Sequence, residues 1–195
     1  MKRIIQLGFF IILIFGMSGY STGGSGACLL KESPGPDQEV RKLQGVPVII
    51  SKKVYTVAVF PESILTEPGA PLQFTIAIGN TTSESMVFKT NGVRVFSDKK
   101  RIGLVPADKI VERVRKDYST EESDLSKDQK KILAPFVEEK MQMARDSLLR
   151  DQTILPGENV KGIIAIELPT GSDSLTIEIS ILDEIHTFHF DVFEL

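Results

Sequence analysis

The strongest pattern along the chain is an alternation of hydrophobic and polar residues with a period of two. It is clearest in residues 72–78 and 175–181, and it recurs in 160–168, 54–60 and 86–96. Successive side chains of a strand point to opposite faces, so each segment would place one row in a core and one row in water. About seven such strands with turn signals between them favour a mainly β fold, an antiparallel immunoglobulin-like β-sandwich.

Two short sequences predict where hairpins turn. Asn91-Gly92 is typical of a two-residue turn, because both central residues of a type I′ turn need positive φ. Asp183-Glu184 lies between two apolar residues near the end of the chain. We expect it to turn the last hairpin.

The alternation stops at residues 107–150, where hydrophobic residues follow helical spacing instead. A first helix is predicted over 108–117. Ser126 and Gln129 match a capping box and predict the start of a second helix. Pro135 lies inside that second pattern, so the helix would either start or bend there. The sequence therefore predicts an α-helical insertion of two helices between strands.

The second predicted helix carries an apolar stripe with two possible meanings. It could pack against the sandwich, or it could be a docking face for a protein partner. Loops longer than about 12–15 residues are uncommon unless they are functional or disordered, so the insertion is where function is expected. The candidate partner-binding residues are Leu133, Phe136, Val137, Met141 and Leu148.

The first 27 residues have the pattern of a secretory signal peptide. Lys2 and Arg3 precede an apolar run over 4–17, and small residues lead to Ala27. The apolar run is short for an ordinary membrane span, which needs roughly 20 residues. Ordinary cleavage after Ala27 and an uncleaved anchor are both compatible with this pattern.

Cys28 is the one cysteine of the chain. With the preceding Gly26 and Ala27 it resembles the lipobox of bacterial lipoproteins, although Ser25 stands where that family prefers leucine. The resemblance implies that Cys28 becomes the first mature residue and carries a lipid that attaches the protein to a membrane. Leu29 in the next position implies delivery to the outer membrane, facing the periplasm.

Residues 31–45 are rich in charge, proline and glycine and poor in apolar residues. Such a composition cannot bury enough surface to offset the entropy of ordering. We therefore predict a lipid-anchored flexible tether over 28–45, followed by the β-sandwich domain over 46–195 with its helical insert at 107–150.

The turns around the predicted strands resemble those of a broad group of immunoglobulin-like domains from bacterial envelopes. This resemblance implies a fold and no activity, because its motifs consist of turn residues. The matching segments are Pro68-Gly69, Gly79-Asn80-Thr81-Thr82, Leu155-Pro156-Gly157-Glu158 and Gly162-Ile163-Ile164.

Charge and histidine content narrow the possible functions. The net charge is −3 at pH 7 with both signs interspersed, whereas a nucleic-acid binder would normally carry a basic stripe. His186 and His189 are three apart on a predicted strand and would face opposite sides, so they could not bind one metal ion together. We expect His186 to be hydrogen-bonded at the edge of the core and His189 to lie at the surface.

Taken together, these features predict a non-enzymatic envelope lipoprotein, without cofactor or metal, that binds another envelope protein. The alternative is a periplasmic domain that binds a small molecule or glycan. A hydrolase is a weaker alternative. Secretion to the periplasm and anchoring by an uncleaved signal remain alternatives for the location.

Overall fold

The computed structural model describes residues 27–43, 45–66, 70–122 and 126–194. The predicted signal segment lies outside them except for Ala27. The described residues form thirteen strands and two α-helices: β1 Cys28–Glu32, β2 Gln38–Leu43, β3 Val46–Lys52, β4 Tyr55–Pro61, β5 Leu65–Thr66, β6 Leu72–Asn80, β7 Met86–Phe88, β8 Val93–Ser97, β9 Lys100–Ile102, α1 Ala107–Glu122, α2 Lys127–Ser147, β10 Gln152–Ile154, β11 Asn159–Ile166, β12 Ser174–Ile181 and β13 Glu184–Glu194.

These strands form two larger antiparallel sheets and one short ladder. The first sheet has the order β5-β1-β13-β12-β8-β9, and the second has the order β11-β6-β4-β3-β2. Strands β7 and β10 pair with each other. The predicted mainly β fold with antiparallel sheets and two inserted helices is therefore confirmed at this level.

The inward rows of both sheets meet in one hydrophobic core. Phe74 of β6 and Phe190 of β13 touch across it, with ring centroids 5.1 Å apart and planes tilted by 53°. We call the two sheets and this core the β-body. Its largest fully buried side chains are Phe74, Phe88, Phe188, Phe190, Ile49, Ile76, Ile78, Ile154, Ile166, Leu175, Ile177 and Ile179.

The prediction of a flexible tether over 28–45 is wrong, because β1 and β2 belong to the β-body. Strand β1 pairs with β13 and buries Leu30, while β2 pairs with β3 along its full length. An edge strand gains backbone hydrogen bonds from one neighbour, and charged side chains on such a strand protect the edge. A segment with little apolar surface can therefore still be ordered, and the folded domain includes β1 and β2 ahead of the predicted start at Val46.

The two predicted hairpin turns also need correction. Asn91-Gly92 lies in a 3-10 turn over Thr90–Gly92, and the strands on either side of it pair elsewhere. Glycine is required there for a different reason, since a Cβ on Gly92 would lie 2.7 Å from the Ser180 carbonyl oxygen. The last hairpin turns one residue earlier than predicted, at Leu182-Asp183, because Ile181 pairs with Glu184.

A two-residue turn with both residues at positive φ does occur, at Asp98-Lys99 between β8 and β9. The Asp98 carboxylate accepts hydrogen bonds from the backbone N–H groups of Asp173 and Ser174 at 3.2 and 3.0 Å. These contacts hold a turn that lacks glycine. Its residues carry no Asn-Gly signal, which is why the sequence pattern did not reveal it.

Two of the turn motifs lie against each other at one end of the β-body. Gly157 has a φ of 77° in the turn that Leu155 and Glu158 close with a 3.0 Å backbone hydrogen bond. The Asn80 carbonyl accepts from the Gly157 N–H at 2.9 Å. The buried Asn80 side chain also donates to the Ile154 carbonyl at 3.0 Å, so this polar residue joins β6 to the segment after α2.

Candidate functional surfaces

The insertion folds as two helices joined in a hairpin. Helix α2 begins at Ser126, whose hydroxyl accepts from the Gln129 N–H at 3.4 Å while the Ser126 N–H donates to the Gln129 side chain at 2.9 Å. This is the predicted capping box. The helix then continues through Pro135 to Ser147. Pro135 therefore lies within the helix and does not start it.

The helices have a small hydrophobic cluster of their own, separate from the core of the β-body. Val111 and Val114 of α1 pack with Met141 and Ala144 of α2, and Tyr118 and Val137 flank them. The apolar stripe of α2 thus packs mainly against α1. This arrangement is different from the expected packing against the sheets. We call α1 and α2 the helical hairpin.

Both ends of the helical hairpin are attached to β11, at the edge of the second sheet. On the first side, the Val105 N–H donates to the Ala165 carbonyl at 2.8 Å. On the second, the Leu149 N–H donates to the Ile163 carbonyl at 3.0 Å. Leu149 also enters the core of the β-body. The hairpin connections therefore cover a sheet edge that would otherwise offer unpaired backbone groups.

Gly162 of β11 makes the second attachment possible. A Cβ at this position would lie 2.4 Å from the Leu149 Cα and 2.6 Å from its nitrogen. A backbone cannot yield as a flexible side chain can. Only glycine therefore lets the end of α2 approach β11 this closely.

The five candidate partner-binding residues have different environments. Val137 and Met141 face α1, where Met141 is buried. Leu133 is half-buried, and Leu148 lies at the end of α2 beside Ile163. Phe136 is 46% exposed, with the Tyr118 ring edge-on at 6.2 Å and the Lys140 ammonium 5.2 Å from its centroid. Of the five, Phe136 offers the most accessible apolar surface.

Two exposed residues of α2 were missed by the sequence pattern. Ile132 is 79% exposed and Met143 is 36% exposed. At 100° per residue, both lie within about 40° of Phe136 around the helix axis. A helical projection of the sequence places the three together, but it cannot show which apolar row faces α1.

His186 is fully buried at the end of the β-body that contains the β3–β4 turn. Its Nδ1 lies 3.0 Å from the Ser51 hydroxyl, joining the two sheets. Its Nε2 lies 3.4 Å from the Glu184 carboxylate, and that contact falls outside hydrogen-bond geometry. Glu184 accepts instead from the backbone N–H groups of Val54 and Tyr55. Burial lowers the pKa of His186, which favours the neutral ring, although Glu184 opposes this effect.

His189 lies on the opposite face of β13, as its spacing predicts. It is exposed, and its Nδ1 lies 3.0 Å from the Thr176 hydroxyl. Within the described ranges, no three His, Cys, Asp or Glu side chains gather as ligands for a metal ion. Neither α1 nor α2 has the length and apolarity of a membrane-spanning helix.

Cys28 is the first residue of β1, opposite Glu194 on one side and Thr66 on the other. It is partly buried and packs at the margin of the core. Burial raises the pKa of the Cys28 thiol, and the Glu194 carboxylate adds to this, while a hydrogen bond with Thr66 opposes it. The unmodified thiol is therefore protonated at neutral pH and is a weak nucleophile.

No protein-family model and no curated protein matches this chain. Among solved structures it is similar to the YjhA protein from Bacillus subtilis, with 13% sequence identity and a TM-score of 0.36 over 72% of this chain and 76% of that chain. Superposition at this level does not identify a common fold or function.

Proposed function

We propose that this protein is a non-enzymatic lipoprotein of the bacterial cell envelope that binds another envelope protein through its helical hairpin. This proposal rests on one observation: α2 leaves Ile132, Phe136 and Met143 exposed on one side, while its other side packs against α1. A helix normally buries its apolar stripe, and exposed apolar surface often marks a site of association. The β-body already has a complete core, so these side chains are not needed to fold it.

We propose that the β-body is an immunoglobulin-like sandwich in the broad sense. Two antiparallel sheets share one core, and the chain passes between them six times, after β1, β4, β5, β6, β9 and β11. Such crossings are a feature of Greek-key sandwiches. The hairpin then corresponds to an addition between two strands of a self-sufficient scaffold.

The anchor is proposed to be a lipid on Cys28, with the protein at the outer membrane facing the periplasm. Cys28 is the first residue of an ordered strand, so a lipid at this residue would emerge from the margin of the folded domain. Metabolic labelling with a fatty-acid analogue should tag the wild type and leave Cys28→Ser unlabelled. Equal labelling of the two proteins, or of neither, would contradict the anchor.

Partner binding is tested by site-specific photo-crosslinking in intact envelopes. A photoreactive residue in place of Ile132 should give an adduct of defined mass, whereas one at Val87 of β7, which is also exposed, should not. The double substitution Ile132→Glu with Phe136→Glu should remove binding of the identified partner while the far-ultraviolet spectrum is unchanged. Unchanged binding by that variant would contradict a role of the hairpin.

A further inference from the structure

The outer face of the first sheet carries an apolar row beside Cys28. Leu29 of β1 is directly opposite Leu65 of β5 on one side and Phe193 of β13 on the other. Directly opposed residues of neighbouring strands have side chains on the same face. Leu30 and its partner Val192 are buried, so the row one residue away points outward. Leu65 and Phe193 are 52% and 46% exposed. We call Leu29, Leu65 and Phe193 the outer row.

The polarity of this face changes along the strands. Two residues further from Cys28, the outward positions are Lys31 and its partner Asp191. Two residues span about 7 Å of a strand. The outer face is therefore apolar at the end that contains Cys28, and it becomes charged at the next outward positions along β1 and β13, further from Cys28.

The ordered β1 removes the distance that a flexible tether would have provided. If Cys28 carries a lipid, as proposed above, no residue separates the anchor from the strand that contains Leu29. Amphipathic helices at a membrane interface bury their apolar face by about 5–10 Å at the boundary of head groups and acyl chains, and a similar depth is expected for an apolar strand end. That depth matches the distance between the outer row and the charged positions beyond it.

We infer that the outer row is a membrane-contact surface that places the end of the β-body containing Cys28 in the lipid interface. The outer row contacts the bilayer surface. Its apolar side chains lie at the boundary of head groups and acyl chains, and Lys31 and Asp191 lie on the aqueous side. This inference rests on the proposed anchor at Cys28. It adds a fixed orientation, in which the β3–β4 turn and the tip of the β12–β13 hairpin point away from the membrane.

Site-specific fluorescence of the full lipidated protein tests this orientation. Phe193→Cys and, as a matched control, Val54→Cys are each labelled with a polarity-sensitive fluorophore; Val54 is exposed in the β3–β4 turn. The proteins are placed in vesicles of phosphatidylethanolamine and phosphatidylglycerol that contain head-group spin labels. We expect a blue shift and quenching at position 193, and neither at position 54.

A charge in the outer row gives a second measurement. Leu65→Glu should weaken the quenching of the probe at position 193 severalfold, whereas Val87→Glu, at another exposed position, should leave it unchanged. Both changes lie at exposed side chains, so folding should be retained. Equal quenching in both variants would overturn the membrane contact.

The outcomes separate this inference from the proposed anchor. If Cys28 is acylated and the probes at positions 193 and 54 are equally solvated, the membrane contact is overturned and the proposed anchor stands. If Cys28 is unmodified and the probe at position 193 is quenched, the membrane contact stands and the proposed anchor is overturned. Unmodified Cys28 with no binding to vesicles overturns both.

Discussion

The β-body and the helical hairpin bury hydrophobic side chains on very different scales. The β-body closes two sheets over a core in which large side chains such as Phe74, Phe190 and Ile177 are almost inaccessible. Among the described side chains of the helical hairpin, four are buried, those of Val111, Val114, Met141 and Ala144, whereas Phe136 and Ile132 are exposed. Because buried apolar area is the main source of stability, the β-body can fold without the hairpin's contacts. The hairpin depends on its attachment to β11 and is free to present a surface.

The largest expected effect comes from removing a core aromatic ring. Phe74→Ala leaves a cavity where β6 meets β13 and should lower the free energy of unfolding by about 3–5 kcal/mol, measured by urea denaturation. Met141→Ala in the hairpin should mainly reduce helical circular dichroism, with little change in the unfolding of the sheets. Equal global losses in the two variants would show that the hairpin and the β-body form one cooperative unit.

A smaller effect is expected where the two regions join. Gly162→Ala would force the backbone of Leu149 away from β11 and should cost about 1–3 kcal/mol, as overpacking does. Hydrogen exchange at the Leu149 amide should become faster. Gly103→Ala is the control, because a Cβ there meets no atom within 4 Å. The same exchange rate in both variants would mean that the close approach at Gly162 does not hold the hairpin.

Acid should weaken the β-body, because His186 is buried in it. Burial lowers the pKa of His186 below its ordinary value of 6.5, so the unfolded chain binds a proton more readily than the folded one. The contribution of the neutral His186 ring to the free energy of unfolding is complete above pH 6.5. It is lost as the pH falls from 6.5 through the lowered pKa of the folded state.

Denaturation at a series of pH values tests this prediction. His186→Gln should make the free energy of unfolding less dependent on pH below 6.5. His189→Gln, on the exposed face, should leave that dependence as in the wild type. An unchanged slope in His186→Gln would assign the acid sensitivity to other groups.

The smallest effect is expected at the start of α2. Ser126→Ala removes the side-chain acceptor of the capping box and should cost the helix about 1 kcal/mol. The measurement is hydrogen exchange of α2 amides relative to those of β12. Ser147→Ala is the matched control, because that hydroxyl donates to the Ala144 carbonyl near the end of the same helix. Faster exchange in β12 as well as α2 would again indicate one cooperative unit.

Local pattern was sufficient for the elements whose side chains alternate or repeat without ambiguity. The alternation in 72–78 and 175–181 predicted β6 and β12, and the Ser126 and Gln129 pair predicted the start of α2. Composition failed for residues 28–45, because β1 and β2 are ordered by pairing with distant strands. The signal at Asn91-Gly92 failed because its flanking strands pair with β10 and β12 and not with each other.

The candidate surfaces depended even more on distant contacts. The sequence predicted an apolar stripe on α2, but only the packing with α1 showed that Met141 is covered and that Ile132 is exposed. No local feature joins Leu29, Leu65 and Phe193, since they are neighbours only through the pairing of three strands.

By itself the sequence determined the strands with strict alternation, the presence of two inserted helices and the position of Cys28 after the N-terminal apolar run. These follow from interactions between residues close in the chain. The tertiary structure alone decided which apolar row each helix buries, that β1 and β2 belong to the folded domain and which exposed side chains become neighbours. Those choices depend on long-range pairing, in which each strand gains its hydrogen bonds and buried area from segments far away in sequence.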